Sequence, residues 1–209
     1  MNINLTRSVA GYLKDKLNLT QEQEEIALYG LQFIVYQVTG FFFTLLVGWL
    51  LGCFWTTLAV DFAASSLRMF SGGAHSKTPL TCFITGVITI PLLGKLAAIT
   101  APYLTPLGMS LIVTLGFIPS TLVVYRLAPV DSPANPITSV TRRRRLRFLS
   151  LLVLMSVTAG EFLLLVNGVA LPIVLAASLG VWWQTFTLTR SGHRFATIID
   201  NLRERGERV

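Results

Sequence analysis

Leu28-Tyr-Gly-Leu-Gln-Phe-Ile-Val-Tyr-Gln-Val-Thr-Gly-Phe-Phe-Phe-Thr-Leu-Leu-Val-Gly-Trp-Leu-Leu51 contains no Asp, Glu, Lys, Arg or His. It exceeds the roughly 20 apolar residues that a membrane-spanning helix needs. In lipid the backbone must satisfy its own hydrogen bonds, so a stretch of this kind is helical. Further apolar runs follow at about Phe54 to Arg68, Pro79 to Thr100, Tyr103 to Tyr125, Phe148 to Val166 and Ala170 to Leu188. The whole 209-residue chain is 53% apolar and 13% charged, with a mean hydropathy of +0.65. These values exclude an ordinary soluble domain and a disordered chain. The sequence predicts an all-α, polytopic membrane protein of about six transmembrane helices. The second run is the shortest, and a four-span arrangement that makes it re-entrant is the alternative.

Charge placement tests that layout independently. With the amino terminus in the cytoplasm, 16 of the 17 basic residues fall on the inner side. The outer connections, around Gly52, Ala101 to Pro102 and Asn167 to Gly168, carry no Lys or Arg, as the positive-inside rule requires. Both termini are therefore expected in the cytoplasm.

Residues 1–25 lack the apolar core of a secretory signal. Leu5, Val9, Tyr12, Leu13 and Leu17 recur at helical spacing, with Lys14, Asp15 and Lys16 among them, which predicts an amphipathic helix on the inner leaflet. Thr20 and Gln23 form a capping-box pattern ahead of the first span. There is no internal repeat. Residues 1–209 read as a single membrane domain, with 1–25 as its amphipathic N-terminal segment and 127–147 as a basic cytoplasmic loop.

The stretch Arg68-Met-Phe-Ser-Gly-Gly-Ala-His-Ser-Lys-Thr-Pro-Leu-Thr-Cys82 carries the chemistry. Thr78-Pro79 is a helix start, with Thr as N-cap and Pro at the first helical position. Cys82 then stands at about the fourth helical residue. Its sulfur leans back toward the amino terminus of the helix, where the dipole favours a thiolate. His75 cannot share that straight helix and touch the sulfur, because seven residues correspond to roughly 10 Å of axial rise. Gly72-Gly73 supplies the backbone freedom for the chain to fold back. The imidazole can then take the thiol proton and return it to a leaving amine. Arg68 either supports the site or snorkels at a helix end. Cys53 and Cys82 are expected at opposite faces, too far apart for a disulfide. Two ligands are too few for zinc, so no metal is expected.

The run Arg68, Ser71-Gly72-Gly73-Ala74-His75 and Cys82 resembles the signature of the accessory gene regulator B (AgrB) family, the membrane cysteine peptidases of Gram-positive quorum sensing. A second stretch, Tyr125-Arg-Leu-Ala-Pro-Val-Asp-Ser-Pro-Ala-Asn-Pro-Ile137, is similar to the family's Ala-Pro-x-Asp segment followed by Pro-Ile. The basic cluster follows at Arg142 to Arg145 rather than within that motif. The resemblance implies a cysteine endopeptidase of the bacterial cell membrane that needs no cofactor and has its active site at the cytoplasmic face. Its partner would be an AgrD-like precursor peptide with an amphipathic leader and an acidic C-terminal tail. His75 would be the base and Cys82 the nucleophile, forming an acyl-thioester that a precursor thiol or hydroxyl then closes into a thiolactone or lactone. A homodimer is also what the family suggests.

A net charge of +7 with cations gathered on one face suits an acidic peptide or anionic membrane lipids. Arg142, Arg143, Arg144 and Arg145 read either as a topology anchor or as contacts to the substrate tail or lipid. No aromatic pattern or fold points to nucleic acid. Lys95 and Glu161 fall at similar depth and are expected to pair; Asp61 is nearer mid-membrane. Asp131 is a candidate third member of the site beside Arg68, Gly72 and Gly73, and a backbone carbonyl would serve equally. Ala176 and Gly180 permit close helix contact, within one chain or across a dimer. A peptide exporter or membrane scaffold that does not cut its cargo is the alternative from a different functional class.

Overall fold

The computed structural model describes residues 3–74, 76, 78–131, 137–168 and 170–206. Among them every regular element is helical: α1 (Ile3–Leu17), α2 (Gln21–Leu50), α3 (Phe54–Ser71), α4 (Pro79–Thr100), α5 (Pro106–Leu127), α6 (Val140–Val166), α7 (Leu171–Leu188) and α8 (Arg190–Gly206), with a 3-10 turn at Ala101–Tyr103. The all-α expectation holds, and each apolar run lies on a helix. Five helices, α2, α4, α5, α6 and α7, are long and apolar enough to cross a membrane. The second run is the one that differs. α3 buries Thr56, Thr57, Asp61 and Ser71 beside Val60 and Leu67, so much of its polar surface meets protein rather than lipid.

Two compact units, residues 1–43 and 44–209, make up the chain. In the first, α1 ends at Asn18, whose positive φ of 49° suits an asparagine just past a helix end. The expected capping box forms reciprocally: the Gln23 N–H donates to Thr20 Oγ1 at 3.3 Å and the Thr20 N–H to Gln23 Oε1 at 2.9 Å. Lys14 pairs with Glu24 at 2.5 Å, tying the last turn of α1 to the first turn of α2.

In the second unit, α3 packs chiefly on α7 and α4. Small residues allow this. A Cβ on Gly180 would come within 2.4 Å of the Val60 carbonyl oxygen, and one on Gly94 within 2.6 Å of Thr57 Oγ1. Thr57 is fully buried. The small pair Ala176 and Gly180 thus serves a contact within one chain. α3, α5 and α7 run in one direction, since Val60 meets Gly180, Ser71 meets Gln184, and Ser120 meets Thr185. α4 and α6 run the other way, with Gly94 beside Thr57 and Glu161 beside Ser178. The C-terminal ends of α3, α5 and α7 therefore gather with the N-terminal ends of α4 and α6.

Lys95 and Glu161 do not pair. Lys95 Nζ donates to the Leu51 carbonyl at 2.9 Å, and Glu161 accepts from Ser178 Oγ at 2.8 Å. Equal depth says nothing of rotation about a helix axis, and rotation gives each a nearer partner. Asp61 accepts from Ser65 one turn along its own helix at 3.0 Å. Cys53 is buried against Thr57 and Pro91, and both cysteines are free thiols.

Candidate functional site

The end where these helices gather holds the signature residues. Thr78 is extended, at φ −119° and ψ 142°, and its side chain accepts from the Thr81 N–H; Pro79 follows as the first helical residue. The Cys82 N–H donates to the Thr78 carbonyl at 3.3 Å. Cys82 is thus the fourth residue of α4, as expected, and is partly exposed.

Beyond α3, Ser71 to Ala74 is held from two sides. Gly72 has φ 65° and ψ −147°, which a side chain would strain. A Cβ there would lie 2.3 Å from the Val130 carbonyl oxygen. Gly73, at φ 146°, would bring a Cβ to 2.6 Å from Thr187 Oγ1. Both glycines admit close contact as well as a turn. Gln184, only 1% exposed on α7, donates to the Gly72 carbonyl at 2.7 Å and to Ser71 Oγ at 3.1 Å. The Ala74 N–H donates to the Thr187 carbonyl at 2.9 Å.

Arg68 reaches across this turn. One terminal nitrogen donates to the Ala74 carbonyl at 2.8 Å, the other to Gln184 Oε1 at 3.5 Å. Arg68 thus links the end of α3, the Gly-Gly turn and α7.

The second motif braces the same turn. The Val130 N–H donates to the Ser71 carbonyl at 2.9 Å. Arg147 Nε donates to the Ala128 carbonyl at 2.8 Å, and Arg143 donates to the Pro129 carbonyl at 3.3 Å and to Asp131 at 2.7 Å. Helix α6, capped by Ser139, already includes Arg142 to Arg147, so the connecting loop is shorter than 127–147. Arginine favours helix, and the cap fixes where it starts. Arg142, Arg144 and Arg145 are exposed, whereas Arg143 and Arg147 are partly covered and bond to the 128–131 segment.

α8 crosses to the same place. A Cβ on Gly192 would lie 2.3 Å from the Phe186 carbonyl oxygen, so the helix departs tightly from α7. Phe195 packs edge-on against Trp183 and Phe186. At the far end, Arg203 donates to Thr78 Oγ1 at 2.8 Å and to Thr81 Oγ1 at 3.0 Å. Asp200, one turn earlier, is 5% exposed.

Arg68, Gly72 and Gly73 are thus brought together, with Cys82 on the first turns of α4 at the same end of the helices. Asp131 stands at the edge, partly exposed and engaged by Arg143. His75 and residues 132–136 lie outside the described residues. Sequence reasoning missed Gln184, Thr187 and Arg203 as neighbours of the site. A glutamine within an apolar helix was the available signal for Gln184, since polar groups are rarely spent there without a partner.

Fold and site define a multi-pass, all-helical membrane protein with a cationic and thiol constellation at one end of its helices. The chain belongs to the AgrB family: the family's sequence model, "Accessory gene regulator B", matches residues 6–188. It is 28% identical to "Putative AgrB-like protein 2" of Clostridium perfringens (strain 13 / Type A), over 95% of this chain and 96% of that protein. It is 28% identical to "Putative AgrB-like protein" of Clostridium perfringens (strain SM101 / Type A), with the same coverage. No solved structure matches. Membership implies a role in quorum-sensing peptide processing.

Proposed function

We propose that the protein is a membrane cysteine endopeptidase that removes the C-terminal tail of an AgrD-like precursor peptide, working at the cytoplasmic face. The observation that carries this reading is the placement of Cys82 in the first turns of α4, at the end of the helices where Arg68 holds the glycine turn through the Ala74 carbonyl. Ala74 directly precedes His75 in the chain.

His75 takes the Cys82 proton, and the thiolate attacks the carbonyl carbon of the scissile peptide bond. The C–N bond then breaks as the imidazolium returns its proton to the leaving amine, freeing the tail. The signal half remains as a thioester on Cys82. A thiol within that half attacks the thioester carbon, forms a thiolactone and regenerates Cys82; a hydroxyl would give a lactone. A tethered nucleophile of this kind has a large effective molarity. Ring closure therefore outruns hydrolysis at a mouth partly shielded from water. The exposed Arg142, Arg144 and Arg145 suit an acidic tail or anionic lipid.

The test uses purified protein in liposomes with a precursor of that composition. Wild type is expected to release the tail, while Cys82→Ala and His75→Ala insert normally and release none. Tail release by Cys82→Ala would refute the assignment. Binding and translocation of intact precursor by both would favour the exporter alternative.

A further inference from the structure

α7 is long and apolar enough to cross a membrane, and α8 begins one residue after it ends. That residue, Thr189, is extended at φ −81° and ψ 162°. Its side chain accepts from the Gly192 N–H at 3.2 Å and so caps α8. The far part of α8 is pinned as well. Arg203 donates to Thr78 and Thr81 at the start of α4, another helix long enough to cross. The end of α7 and the start of α4 lie at the same end of the helices. α8, roughly 20 Å long from Arg190 to Arg203, therefore runs across that end, at the level of the lipid headgroups.

With about 100° between successive residues, α8 shows three edges. Phe195 and Arg203 face the protein, on Trp183, Phe186 and the cap of α4. Beside them Ile198 and Leu202, one turn apart, are 56% and 60% exposed. Beyond that pair come the exposed Arg190, Arg194 and Thr197. The apolar stripe is thus wider than the packed edge, and its uncovered part is bordered by two cations. No acidic side chain is exposed among the described residues of α8. Leu80 and Ile84, on the first turns of α4, are exposed too, so both helices that meet at Arg203 present apolar side chains outward. A protein-packed edge, an apolar stripe and a basic edge in that order are what a helix lying in a bilayer interface requires.

We propose that this face of α8 docks on anionic lipid headgroups of the surrounding bilayer, with Ile198 and Leu202 in the acyl boundary and Arg190 and Arg194 at the phosphates. A second copy fits less well, because a two-fold contact through this face would bring like charges together. The docking does not depend on peptide cleavage.

The full chain in vesicles tests it, with an NBD fluorophore on Ile198→Cys or on Thr197→Cys, each in a Cys53→Ala, Cys82→Ser background. The vesicles are phosphatidylcholine with or without phosphatidylglycerol, and carry a nitroxide near the top of the acyl chain as quencher. With phosphatidylglycerol, the label at 198 should be quenched severalfold more than the label at 197. Quenching at 198 should fall severalfold without phosphatidylglycerol, in concentrated salt, and in the Arg190→Gln, Arg194→Gln double variant, because headgroup charge attracts each arginine and salt screens it. The lipid and salt comparisons decide the matter should the double variant not be recovered from membranes. Equal quenching at the two positions would overturn the proposal, as would quenching at 198 indifferent to phosphatidylglycerol and salt. Protection of 198 that grows with the protein-to-lipid ratio would assign the face to a second copy and overturn it. Protection that appears only with added precursor would assign the face to that peptide and overturn it equally.

Discussion

Gln184, in the C-terminal half of the site's least exposed helix, donates to the Gly72 carbonyl at 2.7 Å. One buried amide thereby ties the C-terminal half of α7 to the glycine turn that follows α3, while its oxygen accepts from Arg68. The relationship gives the glutamine a use among apolar neighbours: its hydrogen bonds hold the turn that follows α3.

Gln184→Leu should therefore insert in the membrane but lose about 1–2 kcal/mol of stability, the usual scale for buried polar contacts of this kind. Cleavage should fall at least tenfold. Denaturant titration in detergent, beside a precursor cleavage assay, checks both. A leucine variant with full activity would show that the turn holds itself.

Gly72→Ala should be more damaging than an alanine at an ordinary loop glycine. The residue has a positive φ, and the new Cβ would meet the Val130 carbonyl, adding a backbone clash to conformational strain of about 1–3 kcal/mol. Limited proteolysis of the 128–139 connection should become faster in this variant, together with loss of activity.

The arginines of α6 divide into two groups. Arg143→Ala and Arg147→Ala remove hydrogen bonds to the 128–131 segment and should lower kcat and stability. Arg142→Ala, Arg144→Ala and Arg145→Ala remove exposed charges and should chiefly raise KM for an acidic precursor, with an effect that shrinks as salt rises. Steady-state kinetics at low and high ionic strength separates the groups.

Thr78→Val removes the N-cap acceptor of α4 and one of the two hydroxyls held by Arg203. A lost cap costs about 1 kcal/mol. Combining it with Arg203→Ala should cost less than the sum of the two single changes, because both break the same contact.

Much of this was legible in sequence because lipid makes local patterns decisive. Uncharged runs such as Leu28 to Leu51 have to be helical, and Thr78-Pro79 marks a start that fixes Cys82 on its first turns. Thr20 and Gln23 announce their capping box within four residues. What stayed hidden depends on rotation and on distant partners. Lys95 and Glu161 match in depth yet face different neighbours. Gln184, Thr187 and Arg203 gain meaning only when α7 and α8 meet residues more than a hundred positions away. Phe195, Ile198, Ile199 and Leu202, spaced as on an amphipathic helix, were the available signal for α8.

The central claim is that Cys82 carries the signal half of the precursor as a thioester. Intact-mass spectrometry of the liposome-embedded protein, quenched in acid shortly after mixing with precursor, tests it most directly. The account predicts a hydroxylamine-sensitive adduct on Cys82 equal in mass to the acylated signal half, free tail, and later a product one water lighter than the linear fragment. Tail release with no adduct on Cys82 at any time, in a protein whose Cys82→Ala variant is equally active, would contradict it.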